Sequence, residues 1–115
     1  MMDISALLGV ERGVTALIGG GGKTTLMYTL AEELRRRGTV VVTTSTHIRR
    51  PEQYPVLTAA DDAAVAAALA EHGAVCVAGE TAEGKLCAPA LSFELLAALA
   101  DFVLVEADGS KRLPQ

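Results

Sequence analysis

The chain has 115 residues and a net charge of −4, which suits one domain and lacks the basic stripe of a nucleic-acid binder. Half of its residues are apolar but only 3% are aromatic, so a core must be built from Ala, Val and Leu around Tyr28, Tyr54, Phe93 and Phe102. Cys76 and Cys87 are too few for a disulfide scaffold or a Cys-based zinc site; no apolar run reaches the ~18 residues of a membrane span; and Met1-Met2-Asp3-Ile4 has no signal-peptide pattern. The expectation is a cytoplasmic protein with neither a membrane nor a nucleic-acid partner.

In chain order, Gly13 to Ile18 is a short apolar run that reads as a buried strand ending in a turn of four glycines. From Lys23 the period changes: Leu26, Met27, Leu30, Ala31 and Leu34 recur at helical spacing. Glu32 and Glu33 stand four residues before Arg36 and Arg37, a helix-stabilising arrangement, and Gly38 stops the helix. The β-branched run Thr39 to Thr44 predicts a second buried strand, completing a βαβ unit. A polar loop from Ser45 to Leu57 follows. Thr58 with Asp61 three residues on predicts a helix start, and Gly73 its stop. Ala74 to Ala78 reads as a third strand, Gly79 to Pro89 as a loop with a short hairpin around Leu86, Ser92 as the cap of a helix carrying Leu95, Leu96 and Leu99, and Phe102 to Glu106 as a fourth strand. Alternating strands and helices predict an α/β fold, a mainly parallel sheet with helices on both faces.

The strongest motif lies between the first strand and the first helix. Gly19, Gly20, Gly21 and Gly22 let the backbone approach a phosphate closely, with N–H groups converging as an anion-binding nest. The helix that begins at Lys23 points its free N–H groups and dipole at the same place. Lys23 would reach the β- and γ-phosphates and Thr24 would offer its hydroxyl to Mg²⁺, with Thr25 beside it. The fit to G-x-x-x-x-G-K-[ST] is imperfect, because the first glycine of that pattern falls on Leu17. The segment from Ile18 to Thr25 better resembles the shorter P-loops of the ParA, MinD and ArsA-type ATPases, with Ile18 where those carry a lysine.

A P-loop protein also needs a carboxylate at the end of a buried strand to hold Mg²⁺ or orient its water. Glu106 closes the fourth strand and is the first choice for that role; Asp108, two residues on, is the second. Thr43, Thr44, Ser45, Thr46 and His47 follow the second strand, at the strand ends where open parallel sheets bind ligands. They read either as lining for a site or as ordinary strand and loop residues. Lys111 and Arg112 read either as an anion clamp or as a solvated tail. His47, Cys76 and Cys87 do not make a metal site by spacing, and Cys76 reads as a core residue.

Three blocks carry a closer resemblance: Leu17 to Met27, Val41 to Ile48, and Val103 to Pro114 with its run Glu106-Ala107-Asp108-Gly109-Ser110-Lys111-Arg112-Leu113-Pro114. In order and spacing they resemble the YqeC-like family of selenium-dependent molybdenum hydroxylase accessory proteins, and Gly84-Lys85-Leu86 agrees more weakly. The resemblance implies a P-loop NTPase-like three-layer α/β/α domain over residues 1–115, with ATP or GTP and Mg²⁺ as cofactors. It implies a nucleotide-dependent role in maturing those hydroxylases or their cofactor, with a hydroxylase or a cofactor intermediate as partner. It also implies a longer family domain of which these residues are the N-terminal part, so that the sheet is expected to be incomplete and its open edge available for pairing with a second copy. The activity is either NTP hydrolysis or NTP-dependent group transfer. The alternatives are a small-molecule kinase of the P-loop class and a nucleotide-dependent switch or chaperone module. The chain contains no Asn, and so no N-K-x-D guanine-reading motif; ATP is slightly favoured over GTP.

Overall fold

The computed structural model describes residues 12–17, 23–48, 54–58 and 61–107. Among them are seven strands and three helices: β1 (Gly13–Leu17), α1 (Lys23–Leu34), β2 (Val40–Thr44), β3 (His47–Ile48), β4 (Val56–Thr58), α2 (Asp62–His72), β5 (Ala74–Glu80), β6 (Leu86–Cys87), α3 (Phe93–Leu99) and β7 (Phe102–Glu106). The sheet runs β1-β7-β2-β5-β6-β3, with β4 also paired to β5. β1, β7, β2, β5 and β4 are mutually parallel; β6 is antiparallel to both β5 and β3. The expected α/β architecture with a mainly parallel sheet is therefore present.

Alternation of side chains along each strand divides the core in two. On one face, Met27, Leu30, Ala31 and Leu34 of α1 pack on Val40, Val42, Ala74, Cys76, Phe102 and Leu104. On the other, Val65 and Leu69 of α2 and Leu96 of α3 cover Val41, Val75, Val77, Val103 and Val105. Covered on both faces, β2 and β7 are buried along their whole length, which is why both read as unbroken apolar runs. β1 departs from the expectation of a buried strand. It pairs only with β7 among the described residues, and Val14 is 45% exposed. A short, largely apolar run fits an edge strand as well as a central one, and here topology decides.

The loop expected from Ser45 to Leu57 contains two short strands, β3 and β4. At two and three residues each is too short to show a strand period; β4 is carried by the longer β5, and β3 pairs with the equally short β6. Thr58 belongs to β4, held opposite Ala78, and so does not cap the next helix. Asp61 does, accepting from the Ala64 N–H at 2.9 Å. Gly73 ends α2 in the left-handed conformation, φ 82°, where glycine alone is unstrained. Ser92 caps α3 as expected, and the hairpin around Leu86 is β5–β6. α1 ends at Leu34, one turn earlier than the charge pattern suggests. Arg35 is consequently the partner of Glu32, at 3.1 Å, and it also donates to the His72 carbonyl at 3.0 Å, joining the end of α1 to the end of α2.

At the entry to β7, Asp101 and Thr39 form a reciprocal clip. The Asp101 carboxylate accepts from the Thr39 N–H at 3.0 Å, and the Thr39 hydroxyl accepts from the Asp101 N–H at 3.0 Å. Arg12 pairs with the other carboxylate oxygen at 2.6 Å, and the Asp101 carbonyl receives the Gly13 N–H at 3.1 Å. Three parallel strands thus start from one knot, which sets them in register.

Candidate functional site

Because the strands are set level at their entries and run parallel, their exits are level too. Leu17 of β1 and Thr44 of β2 both lie opposite Glu106 of β7. The strand that leads toward the four glycines is thus the immediate neighbour of the strand that ends in the candidate carboxylate. Backbone bonds hold this edge: the Ala107 N–H donates to the Leu17 carbonyl at 3.1 Å, and the Ser45 N–H to the Glu106 carbonyl at 3.1 Å. The Thr44 hydroxyl donates to the Glu106 carbonyl at 3.0 Å and accepts from the Thr46 N–H at 2.9 Å. Thr44 is therefore a fastener between strand ends, its donor already used.

Side-chain parity places Glu106 on the α1 face, following Phe102 and Leu104. It is 7% exposed. Thr43 faces the opposite side with Val105, and its hydroxyl is buried without a hydrogen-bond partner among the described residues. α1 opens at Lys23, separated from the end of β1 by residues 18–22. Further along the helix, Tyr28 packs against the α1-side core. Its hydroxyl is buried and has no hydrogen-bond partner among the described residues. Burial pushes the Tyr28 phenol up to about 12, with the Cys76 thiol and then the Glu106 carboxylate adding to the rise. The phenol and the carboxylate therefore share one electrostatic neighbourhood beneath α1.

Gly19, Gly20, Gly21 and Gly22 lie outside the described residues, as do Asp108, Ser110, Lys111 and Arg112. Glu106 and the end of β1 are brought to one edge. His47 is exposed on β3, opposite Cys87 of β6; no group of three or more His, Cys, Asp or Glu side chains suited to a metal occurs among the described residues. Cys76 is fully buried in the core, as its apolar setting suggests. Sequence reasoning missed Tyr28. Its signal was present: a phenol placed a turn beyond Gly22-Lys23-Thr24, between Met27 and Thr29.

The sequence profile of the YqeC protein family matches residues 15–115. The chain belongs to the YqeC family. The matched span takes in the last three residues of β1, the glycine segment, Glu106 and the final block through Gln115, so the family resemblance seen in the sequence holds. No curated protein and no solved structure matches the chain. Among the described residues of this YqeC-family protein, no helix is long and apolar enough to cross a membrane.

Proposed function

We propose that this YqeC-family chain binds ATP or GTP with Mg²⁺ through Gly19 to Thr25, and uses that binding to assist maturation of selenium-dependent molybdenum hydroxylases or their cofactor. One observation carries the nucleotide reading: β1 and β7 are neighbours in register, so the buried Glu106 closes its strand beside the strand that enters the glycine segment. Ligands of open parallel sheets bind outside the carboxyl ends of the strands, and this is that edge.

The residues suit the group. A hard cation takes oxygen donors, and Glu106 supplies a carboxylate at the sheet edge where β1 ends and the segment leading to Thr24 begins. Mg²⁺, when bound, would neutralise phosphate charge. Lys23 would add a fixed cation at the β- and γ-phosphates, the four glycines would admit the phosphate chain to their N–H groups, and the N-terminus of α1 would favour its charge. Asp108 stands as the second carboxylate. The hydroxylase-maturation role is supported by family membership.

Calorimetric titration of the chain with ATP and GTP, with and without Mg²⁺, tests the reading. Mg²⁺-dependent binding to one or both is expected. A folded chain that binds neither overturns it. Glu106→Gln is expected to remove the Mg²⁺ dependence; if Asp108→Asn removes it instead, the two carboxylates exchange roles.

A further inference from the structure

Tyr28 and Tyr54 stand side by side, ring centroids 5.9 Å apart, yet their hydroxyls are treated differently. Tyr54 donates to Glu32. The Tyr28 hydroxyl is buried and makes no hydrogen bond among the described residues. A buried hydroxyl without a partner costs stability, and a phenylalanine would fill the same space without that cost. Such an orphan in a native fold calls for a use outside the resting state. Tyr28 has one within reach of its own element. It hangs from the helix that opens with Lys23 and points into the α1-side core toward which the Glu106 side chain also faces.

We propose that Tyr28 is a positioning residue for the nucleotide site: its hydroxyl donates a hydrogen bond to the Glu106 carboxylate in the nucleotide-loaded state and fixes that carboxylate in the orientation that meets the Mg²⁺–phosphate group. This rests on the nucleotide reading above. The backbone ladder does not by itself set the rotamer of a strand-end carboxylate, and a metal ligand is commonly held by a second group that orients it. The phenol is suited to the task because it is an O–H donor at neutral pH, and burial pushes its pKa further up, to about 12. It therefore remains a donor throughout the physiological range. Cys76, the other group beside it, lies fully buried beneath the helix and is a far weaker acceptor.

The test is Tyr28→Phe, which removes one oxygen and keeps the ring. The unliganded variant is expected to melt at a higher temperature than the wild type. Its affinity for Mg²⁺–ATP or Mg²⁺–GTP should fall about tenfold, the scale of one hydrogen bond to a charged group, while affinity measured in chelator stays unchanged. A purely structural tyrosine would not move these two readouts in opposite directions. In a Glu106→Gln background the same substitution should cost little further affinity; fully additive losses overturn the coupling. If the wild type binds Mg²⁺–nucleotide and Tyr28→Phe binds it equally well, the role of Tyr28 fails and the nucleotide reading stands. A folded wild type that binds no nucleotide overturns both.

Discussion

The two ends of β7 treat polar groups in opposite ways. At its entry, Asp101 is tied on every side: to the Thr39 backbone, to the Thr39 hydroxyl through its own N–H, to Arg12, and to Gly13. At its exit, Glu106 is buried in a neighbourhood where the hydroxyls of Tyr28 and Thr43 lie buried without partners among the described residues. Satisfied polar networks stabilise and set register. Unsatisfied buried groups cost free energy and collect where a ligand is to be met. One strand thus carries a tied end and, on the proposed reading, a ligand-facing end five residues apart, and substitutions at the two should separate stability from binding.

The largest separation is expected at Lys23. Lys23→Ala should reduce nucleotide affinity by two orders of magnitude or more, as roughly 3 kcal/mol of charge-assisted contacts disappear, with the thermal midpoint unchanged. Retention of wild-type affinity would remove the glycine segment from the site. The reverse pattern is expected at the entry. Asp101→Ala leaves the Thr39 N–H and Arg12 without their acceptor and should lower stability by about 2 kcal/mol, with the affinity of the folded protein intact. Gly38 lies under the same clip: a Cβ there would stand 2.2 Å from the Asp101 carboxylate oxygen. Gly38→Ala must therefore push Asp101 out of its bonds, a loss of about 1–2 kcal/mol. Urea unfolding and calorimetry on the same variants check both halves. If Asp101→Ala abolished binding in a protein that stays folded, the two ends would be coupled and the division drawn here would break.

Thr43→Val is a finer probe of the exit. Thr43 and Val are close in shape, the hydroxyl is buried without a partner among the described residues, and the site faces Val105 on the α2–α3 side. Removal of the hydroxyl should raise stability by about 1 kcal/mol. A fall in stability would mean that the hydroxyl has a partner in solution. A fall in affinity would extend the functional end to both faces of the sheet.

Much of this arrangement could be read from the sequence, and the failures have common causes. The β-branched run of β2, the apolar run of β7 and the cap residues Ser92 and Gly73 act over short distances, so they are visible locally. The glycine segment and Glu106 could be named as a pair before their strands were known to be neighbours, because each carries its own local signal. What stayed hidden depends on distant partners. β3 and β4 are strands only because β6 and β5 accept them. The edge position of β1 follows from topology. Thr44 reads as a site hydroxyl until its bond to the Glu106 carbonyl is seen, and Tyr28 reads as core until its hydroxyl is found without a partner among the described residues. The clip between Thr39 and Asp101 joins residues 62 positions apart, and no local pattern announces it.

The smallest effect should come from a polar site belonging to neither end. Glu32 on α1 is held below the usual carboxylate range first by the Tyr54 hydroxyl and then by Arg35. A carboxylate whose pKa is lowered on folding adds stability above its unfolded value, and that stability is lost as the pH falls through the folded one. The loss should therefore begin as the pH drops past the ordinary value of 4.5 and be complete only at more acidic pH. The Glu32 side chain is half exposed, so solvent and salt screen the pair and the effect should be slight. Tyr54 adds a second window. Burial first, and then its bond to Glu32, push the phenol upward, so stability from this pair is also lost as the pH rises into the alkaline range. Tyr54→Phe should flatten both flanks of a plot of thermal midpoint against pH and leave nucleotide affinity at neutral pH unchanged. If it weakened binding instead, the Tyr28–Tyr54 ring contact would be the route, and the functional end of the molecule would reach down α1 to the segment that precedes β4.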